Sequence, residues 1–296
     1  MTVSPPATSA AAAGAIAQLA PAVIGASSFA VVDILLRWGF QAGADSLTIV
    51  LVRGLIGVPL LYAWMFVGTR PRPMTPRERR VSYGFGVMFS GNVYFLFLAI
   101  ELMPVPIAVL TYFVYPLLTG LIGAATRLDT LSWRGALAAV AAFAGLALML
   151  GAHPGGVALM GILAALAAAL CRTTTLILTR SVLAGTDARL ITWYSMISST
   201  ALFGAVALAT GTWTPPQTAF GWACLVGIGI GTTVALVGVF MSTLRIGPFR
   251  TALFMNLEPL LATIGAALLL GEVIAPLQGL GGAVMIGALV MFQLKR

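Results

Sequence analysis

Four charged residues lie inside long apolar stretches of the chain: Asp33, Arg53, Arg172 and Glu258. A charge at bilayer depth costs about 2.5–3.5 kcal/mol on insertion scales, so such residues persist mostly where they face a partner or a water-filled cavity. In a cavity, a carboxylate can bind an amino group or carry a proton, and an arginine can bind a carboxylate. These four residues are therefore the first candidates for chemistry.

Three of the four also have a structural interpretation. Asp33 and Arg37 are four residues apart, so on a helix they share a face and predict an ion pair near the end of the first stretch. Arg53 lies about two turns into its stretch and Arg172 lies toward the cytoplasmic end of its stretch, so their long side chains could reach the membrane interface. The functional alternatives are a carboxylate at the outer mouth for Asp33, and for Arg53 a substrate carboxylate or a pair with Asp33.

Glu258 lies near the middle of the ninth stretch, directly before Pro259. Proline removes one backbone hydrogen bond and kinks a helix, which exposes carbonyl groups that a cavity or Asn256 can use. The sequence leaves two roles open for Glu258, a locally bonded structural acid or a group that binds substrate or protons. At the position 143 residues earlier, Tyr115 also precedes a proline, Pro116.

Aromatic residues with polar tips form a second group. Tyr112 and Tyr115, together with Thr119, have a spacing that puts them on one helix face. Tyr94 lies on the third stretch and Trp193 on the seventh. Such side chains suit a cavity for flat, amphipathic molecules, and the alternative is ordinary packing between helices.

The composition indicates a membrane protein. Of the 296 residues, 60% are hydrophobic and only 8% are charged, and the mean hydropathy is +1.03. A soluble domain carries roughly 25% charged residues, so the sequence argues against a cytosolic enzyme or a nucleic-acid binder despite a net charge of +8. The single histidine, His153, and two separated cysteines, Cys171 and Cys224, predict no metal site, no cofactor and no catalytic centre.

Ten stretches reach the roughly 20 mainly apolar residues that a membrane helix needs. They cover residues 16–38, 46–67, 81–101, 105–125, 133–151, 156–179, 188–209, 217–240, 249–270 and 274–293. Because these are continuous Leu-, Ala- and Gly-rich runs rather than alternating segments of about ten residues, helices are favoured over a barrel. The predicted fold is an all-α polytopic membrane protein with ten transmembrane helices.

The cations are unevenly divided between the two sets of loops. Thirteen of them fall on one set of alternating loops and on the C-terminus: Arg70, Arg72, Arg77, Arg79, Arg80, Arg127, Arg134, Arg180, Arg189, Arg245, Arg250, Lys295 and Arg296. The other set holds only Arg37. The positive-inside rule therefore predicts two cytoplasmic termini, with residues 1–15 as a cytoplasmic tail.

The two halves of the chain repeat at a shift of 143 residues. This shift superimposes Pro116 on Pro259 and Asp129 on Glu272, together with several glycines and leucines. Each half, 16–151 and 156–293, has five stretches, an odd number, so the second half must enter the membrane upside down. Inverted repeats are typical of transporters whose substrate site lies near the midplane between the halves.

The strongest local pattern runs from Asn256 to Glu272 (NLEPLLATIGAALLLGE), followed by the glycine-rich segment 278–287. It resembles the EamA-type half of the drug/metabolite transporter superfamily. Residues 115–129 form a weaker copy that lacks the Gly-Glu ending. The resemblance covers essentially the whole chain and implies export of substrates across the inner membrane by alternating access. Length, topology and aromatic content are similar to the YddG-type exporters of aromatic amino acids.

We therefore expect a bacterial inner-membrane transporter that exports small amphipathic metabolites, with aromatic and other neutral amino acids as the leading substrates. The expected site residues are Asp33, Arg53, Tyr94, Tyr112, Tyr115, Trp193, Asn256 and Glu258, with Pro116 and Pro259 as hinges. The alternatives are an exporter of cationic drugs, a transporter of another metabolite class such as sugar or nucleotide conjugates, or a passive channel. The sequence leaves proton coupling and oligomeric state open, and the partners it predicts are the small-molecule substrate and the lipid bilayer.

Overall fold

The computed structural model describes residues 7–151 and 158–293, and within these ranges the regular structure is helical. The helices there are α1 (Ala7–Gln41), α2 (Ser46–Val67), α3 (Pro76–Leu102), α4 (Val105–Tyr112), α5 (Tyr115–Ala125), α6 (Trp133–Leu150), α7 (Leu159–Val182), α8 (Ala188–Thr210), α9 (Ala219–Ile246), α10 (Pro248–Phe254), α11 (Leu257–Leu270) and α12 (Pro276–Gln293). His153, Lys295 and Arg296 lie outside the described residues.

Within the described ranges, nine spans are long and apolar enough to cross a membrane. Two of these spans are helix pairs, α4–α5 over Val105–Ala125 and α10–α11 over Pro248–Leu270. The tenth predicted stretch forms a shorter apolar helix, Pro276–Phe292. The structure thus agrees with a polytopic helical membrane protein.

Helix ends differ from the predicted stretches in two places. α1 begins at Ala7, inside the predicted tail 1–15, because the segment that follows is rich in alanine, the residue with the highest helix propensity. α9 continues to Ile246 rather than ending near residue 240. Gly247, with a φ of +93°, ends it.

Polar side chains define where several helices begin. The Asp45 carboxylate accepts from Thr48 N at 2.7 Å at the start of α2, and Ser132 Oγ accepts from Gly135 N at 3.1 Å at the start of α6. α3 begins with a reciprocal capping box between Thr75 and Glu78. These bonds satisfy backbone N–H groups that the first helical turn leaves free.

The helices pack side by side in a ring, in which each helix contacts the next and the last contacts the first. Starting from α2, the neighbours are α9, α1, α11, α12, α6, the α4–α5 pair, α7, α3 and α8, which returns to α2. The largest buried cluster lies inside this ring and includes Ala26, Tyr115, Leu176 and Met255. The interior of the ring is therefore where a site enclosed by most of the spans would lie.

One crossing, between α6 and α12, requires glycine on both helices. A Cβ atom on Gly281 would lie 2.6 Å from Met149 N, and one on Gly145 would lie 2.7 Å from the Gly281 carbonyl oxygen. Because the obstructing atoms are backbone, no side-chain movement can relieve such a clash. Small residues of this kind let membrane helices approach closely.

The loops divide between two faces, named here by their arginine content. The Arg-poor face comprises residues 42–45, 103–104, 211–218 and 271–275. Asp45 N donates to Thr214 O at 3.3 Å and Gln217 N donates to Ala42 O at 2.9 Å, which joins two of these loops.

The Arg-rich face comprises residues 68–75, 126–132, 183–187 and 247. Arg189 Nη2 donates to Thr69 O at 2.8 Å and Arg72 Nε donates to Gly185 O at 3.3 Å. A cavity of about 660 Å³ opens here between Trp64, Arg72, Asp187 and Arg245. Consecutive spans therefore connect at alternating faces.

Candidate functional site

Seven side chains meet in the middle of the ring, about halfway along the broken spans. This central cluster consists of Phe29, Asp33, Asn92, Tyr112, Tyr115, Arg172 and Glu258. It draws on α1, α3, both halves of the α4–α5 pair, α7 and α11. It thus combines cationic, anionic and aromatic groups from both halves of the chain.

Arg172 is the centre of this cluster. Its guanidinium carbon lies 5.7 Å from the centre of the Phe29 ring and 5.9 Å from that of the Tyr115 ring. Both distances fall within the range of cation–π attraction, which strengthens as water is removed. Arg172 is also in polar contact with the Tyr115 side chain.

Arg172 interacts electrostatically with Glu258, and Glu258 with Asp33. Nevertheless, none of the three takes part in an ion pair within 7–151 and 158–293. Arg172 Nε is buried and has no hydrogen-bond partner among these residues. Because an unpaired charge in a low-dielectric interior is costly, the cluster is an arrangement that a charged ligand would stabilise.

Aromatic rings enclose the charges. The centres of the Tyr112 and Tyr115 rings are 5.4 Å apart, and those of Phe113 and Tyr115 are 5.6 Å apart. Tyr115 is 1% exposed, whereas Tyr112 is half-buried and in polar contact with Asn92. Asn92 Nδ2 also donates to Ala168 O at 2.8 Å, which ties α3 to α7.

Two helix breaks place these residues. Pro116 lacks the N–H that would bond to Tyr112 O, and the helix is interrupted between Tyr112 and Tyr115. Thr119 Oγ1 donates to Tyr115 O at 2.7 Å, and Thr173 Oγ1 donates to the same oxygen at 3.3 Å. The break is thus held to α7 close to Arg172.

The second break lies between α10 and α11. Pro259 removes the N–H that would bond to Met255 O, which instead accepts from Glu258 N at 3.0 Å. Asn256 is 3% exposed, and its side chain donates to Leu253 O at 3.0 Å. Glu258 therefore follows the break directly, in the first turn of α11.

The structure brings together four of the predicted site residues: Asp33, Tyr112, Tyr115 and Glu258. Asn256 lies at the neighbouring break but is engaged locally. Arg53, Tyr94 and Trp193 lie elsewhere in the described structure.

These three residues have different surroundings. Arg53 stacks over Phe89 at 4.5 Å, beside a cavity of about 10 Å³. Tyr94 is 62% exposed in a groove of about 510 Å³ between α2, α3 and α8. Trp193 Nε1 donates to Val58 O at 3.2 Å, which ties α8 to α2.

Two interpretations of the charged residues were wrong. Arg37 forms its ion pair with Glu272 rather than with Asp33, because the end of α11 comes to the end of α1 in the folded chain. Arg53 and Arg172 do not extend to the interface, since each has a buried guanidinium nitrogen without a partner among the described residues. Both arginines instead rest on aromatic rings inside the ring of helices.

Three members of the cluster are absent from the expected site residues: Arg172, a first candidate with an interfacial interpretation, and Phe29 and Asn92, which were not among the sequence candidates. The repeat contained a signal for two of them. The shift of 143 residues that relates Tyr115 to Glu258 also relates Phe29 to Arg172. All four of these residues belong to the central cluster.

The cavity beside Arg172 is small. Its volume is about 20 Å³, and its lining includes Asn92, Cys171, Leu236 and Phe240. A space of this size holds about one water molecule. This cavity is therefore too small for a metabolite.

The comparisons with known proteins agree with this architecture. The EamA-like transporter family matches the chain twice, over residues 9–151 and 159–293. Among 29 matching chains of solved structures, one described only as "Crystal structure of protein" is 19% identical, with a TM-score of 0.77 over 93% of this chain and 96% of that chain. Curated proteins yield no match. The solved structure shares the fold, and the two family matches cover nearly all of the sequence, so the chain belongs to the EamA-like transporter family.

Proposed function

We propose that this protein exports small amphipathic metabolites, with aromatic and other neutral amino acids as the leading substrates, by alternating access. The central cluster carries the proposal, because unpaired charges of both signs lie among aromatic rings at mid-depth. An amino acid such as phenylalanine has an ammonium group, a carboxylate and a ring, and each has a complementary group in the cluster. The closer relationship to YddG-type exporters is part of the same proposal.

The Arg-rich face is the cytoplasmic face in this proposal. Arginine enrichment in the loops of one face is the usual mark of the cytoplasmic side. Both termini then lie in the cytoplasm of a bacterial cell, and the protein resides in the inner membrane. The predominance of arginine over lysine, with a single lysine in the chain, points to a GC-rich bacterial genome.

The proposed architecture is a pair of inverted five-helix repeats, residues 16–151 and 156–293. Helix packing supports it, because exchanging the halves maps neighbouring pairs onto each other: α1 on α9 corresponds to α7 on α3, and α1 on α11 to α7 on α5. Such repeats typically create transporters whose halves rock about a midplane site.

The hinges in this mechanism are Pro116 and Pro259, each at a break beside the central cluster. A helix that is already interrupted can bend there with few backbone hydrogen bonds to break. Replacing Pro259 with alanine restores the missing N–H and is expected to slow export. Export at the wild-type rate by P259A would contradict the hinge role.

Export is tested by efflux of labelled phenylalanine from proteoliposomes, with and without a proton gradient. Saturable efflux is expected. Y112A should reduce it about tenfold or more, because it removes a ring and a polar contact from the cluster. Y94A is the matched control, since it truncates the same residue type in the exposed groove and should have a smaller effect. Equal losses in the two variants would contradict the central site, and the comparison with and without the gradient decides whether export is coupled to protons.

A second candidate is an exporter of cationic compounds. It is favoured by the pairing of two interacting carboxylates, Asp33 and Glu258, with a single arginine in the cluster. Faster efflux of a lipophilic cation than of phenylalanine from the same proteoliposomes would favour this function.

A further inference from the structure

We propose that Arg172 selects substrates that carry a carboxylate, which its Nε–H binds, while Glu258 binds the substrate ammonium group. This inference deepens the proposed function and rests on it. It assigns recognition of the intact α-amino acid head group to two residues, Arg172 on α7 and Glu258 on α11.

The guanidinium of Arg172 has a hydrogen-bond donor without an acceptor in the part of the chain that the structure describes. Its guanidinium carbon lies over the Phe29 and Tyr115 rings. Its Nε is buried without a partner among the described residues. A guanidinium presents its N–H donors in one plane and in a fixed geometry, which suits a carboxylate. The Nε–H without a partner in the described structure is therefore a place where a carboxylate can bind.

The opposite charges of Arg172 and Glu258 also lack direct ion-pair partners among the described residues. Arg172 and Glu258 interact electrostatically, yet they do not pair directly within the described structure. A zwitterion placed between them would complete both partnerships, because its carboxylate faces the arginine and its ammonium faces the glutamate. A compound with only one of the two groups would leave the other protein charge unpaired, which costs more than the lost hydrogen bond alone.

Arg53 shows what the same residue type looks like without this arrangement. Its guanidinium also rests on a ring and also has a buried nitrogen without a partner in the described structure. Ser195, Ser199 and Thr232 line the cavity beside it. Arg172 interacts electrostatically with Glu258, whereas Arg53 has no carboxylate as an electrostatic partner among the described residues. Arg53 therefore lacks the second charge that recognition of a zwitterion requires.

The test measures kcat/KM for efflux of four probes that share one ring. Phenylalanine has both charged groups, phenethylamine and phenylalaninamide lack the carboxylate, and 3-phenylpropionate lacks the ammonium group. Arg172→Gln should lower the value for phenylalanine about tenfold or more, since a charged hydrogen bond is lost, and leave phenethylamine within about twofold. Arg172→Lys should recover only part of the loss, because lysine lacks the planar fork.

Glu258→Gln supplies the reciprocal measurement and serves equally if Arg172→Gln does not fold. It should lower export of phenylalanine and phenethylamine while sparing 3-phenylpropionate. Arg53→Gln is the matched control and should change all four probes by one common factor.

Two results would overturn the assignment. One is equal loss of all four probes in Arg172→Gln, which would mean a positioning role. The other is an unchanged preference for phenylalanine over phenethylamine in Arg172→Gln. In both cases wild-type export of phenylalanine leaves the proposed function standing, whereas a folded wild-type protein that exports none of the probes contradicts both proposals.

Discussion

The two ends of the broken spans differ in how closely they are packed. At the Arg-rich face, nearly every residue of α10 is buried, including Phe249, Ala252 and Leu253. At the Arg-poor face, α4 occupies the equivalent place in the first half, yet Ala108 is its only buried residue. Both helices are apolar, so hydrophobicity alone does not explain the difference. The packing is closer around α10 than around α4, which is the asymmetry expected of one state in the proposed alternating-access cycle.

Equivalent polar residues also have different partners at the two ends. The repeat relates Arg180 to Arg37 and Asp129 to Glu272. At the Arg-poor face Arg37 and Glu272 bind each other, and both are about half exposed. At the Arg-rich face Arg180 donates to Leu244 O, and Asp129 Oδ2 accepts from Phe249 N at 3.2 Å. These two residues therefore hold both sides of the turn between α9 and α10 rather than pairing with each other.

The largest expected effect is at Gly247, within this turn. Its φ of 93° and ψ of 163° lie in a region open to glycine, where another residue costs about 1–3 kcal/mol. A Cβ atom would also lie 2.8 Å from Asp129 Oδ2 and displace that carboxylate from Phe249 N. G247A should therefore lower the apparent Tm in detergent and loosen α10.

G271A provides the control at the Arg-poor face. Gly271 also has a positive φ, +70°, but a Cβ there meets nothing within 4 Å, so the expected cost is about 1 kcal/mol. Loosening of α10 is measured as the rate at which a maleimide modifies A252C, with Cys171 and Cys224 replaced by serine. Equal rates in G247A and G271A would contradict a specific closure at the Arg-rich face.

The overall architecture was predictable because it depends on local signals. Apolar runs of membrane-spanning length specify the spans, and Pro116 and Pro259 specify breaks through the backbone N–H groups they lack. The juxtaposition of Tyr115 with Glu258 was also within reach, since the repeat relates their positions.

The inward direction of particular side chains was not predictable. Asn92 and Tyr94 are two residues apart on α3, and successive residues on a helix turn by 100°, so they face opposite sides. Which side faces the ring interior depends on how α3 packs against α7 and α8, and this is a tertiary property. Arg172 illustrates the same limit, because its distance from the end of the span suggested the interface while the rotation of α7 turns it inward.

A smaller effect is expected from Asp129, the residue that caps α10. D129A removes the acceptor for Phe249 N and should destabilise the protein by about 1 kcal/mol, the usual cost of a lost N-cap. It should also raise the modification rate of A252C, though less than G247A does. D129N retains a side-chain oxygen in nearly the same position and should restore most of both properties. Identical behaviour of D129A and D129N would show that charge rather than capping matters here.

The smallest effect is expected at the Arg-poor face, from E272Q. Exposed ion pairs are worth about 0.2–1 kcal/mol, and the side chains of Arg37 and Glu272 are 52% and 53% exposed. The salt dependence of the Tm distinguishes the contribution of this ion pair from that of the Asp129 hydrogen bond. The screening length falls from about 10 Å at 0.1 M to about 3 Å at 1 M. The Tm difference between wild type and E272Q should thus disappear in about 1 M salt, whereas that of D129A should persist, since a partly buried hydrogen bond is screened much less. A salt-resistant E272Q effect as large as that of D129A would mean that Glu272 stabilises the Arg-poor face as much as Asp129 stabilises the Arg-rich face. The asymmetry between the two ends would then lie in packing alone.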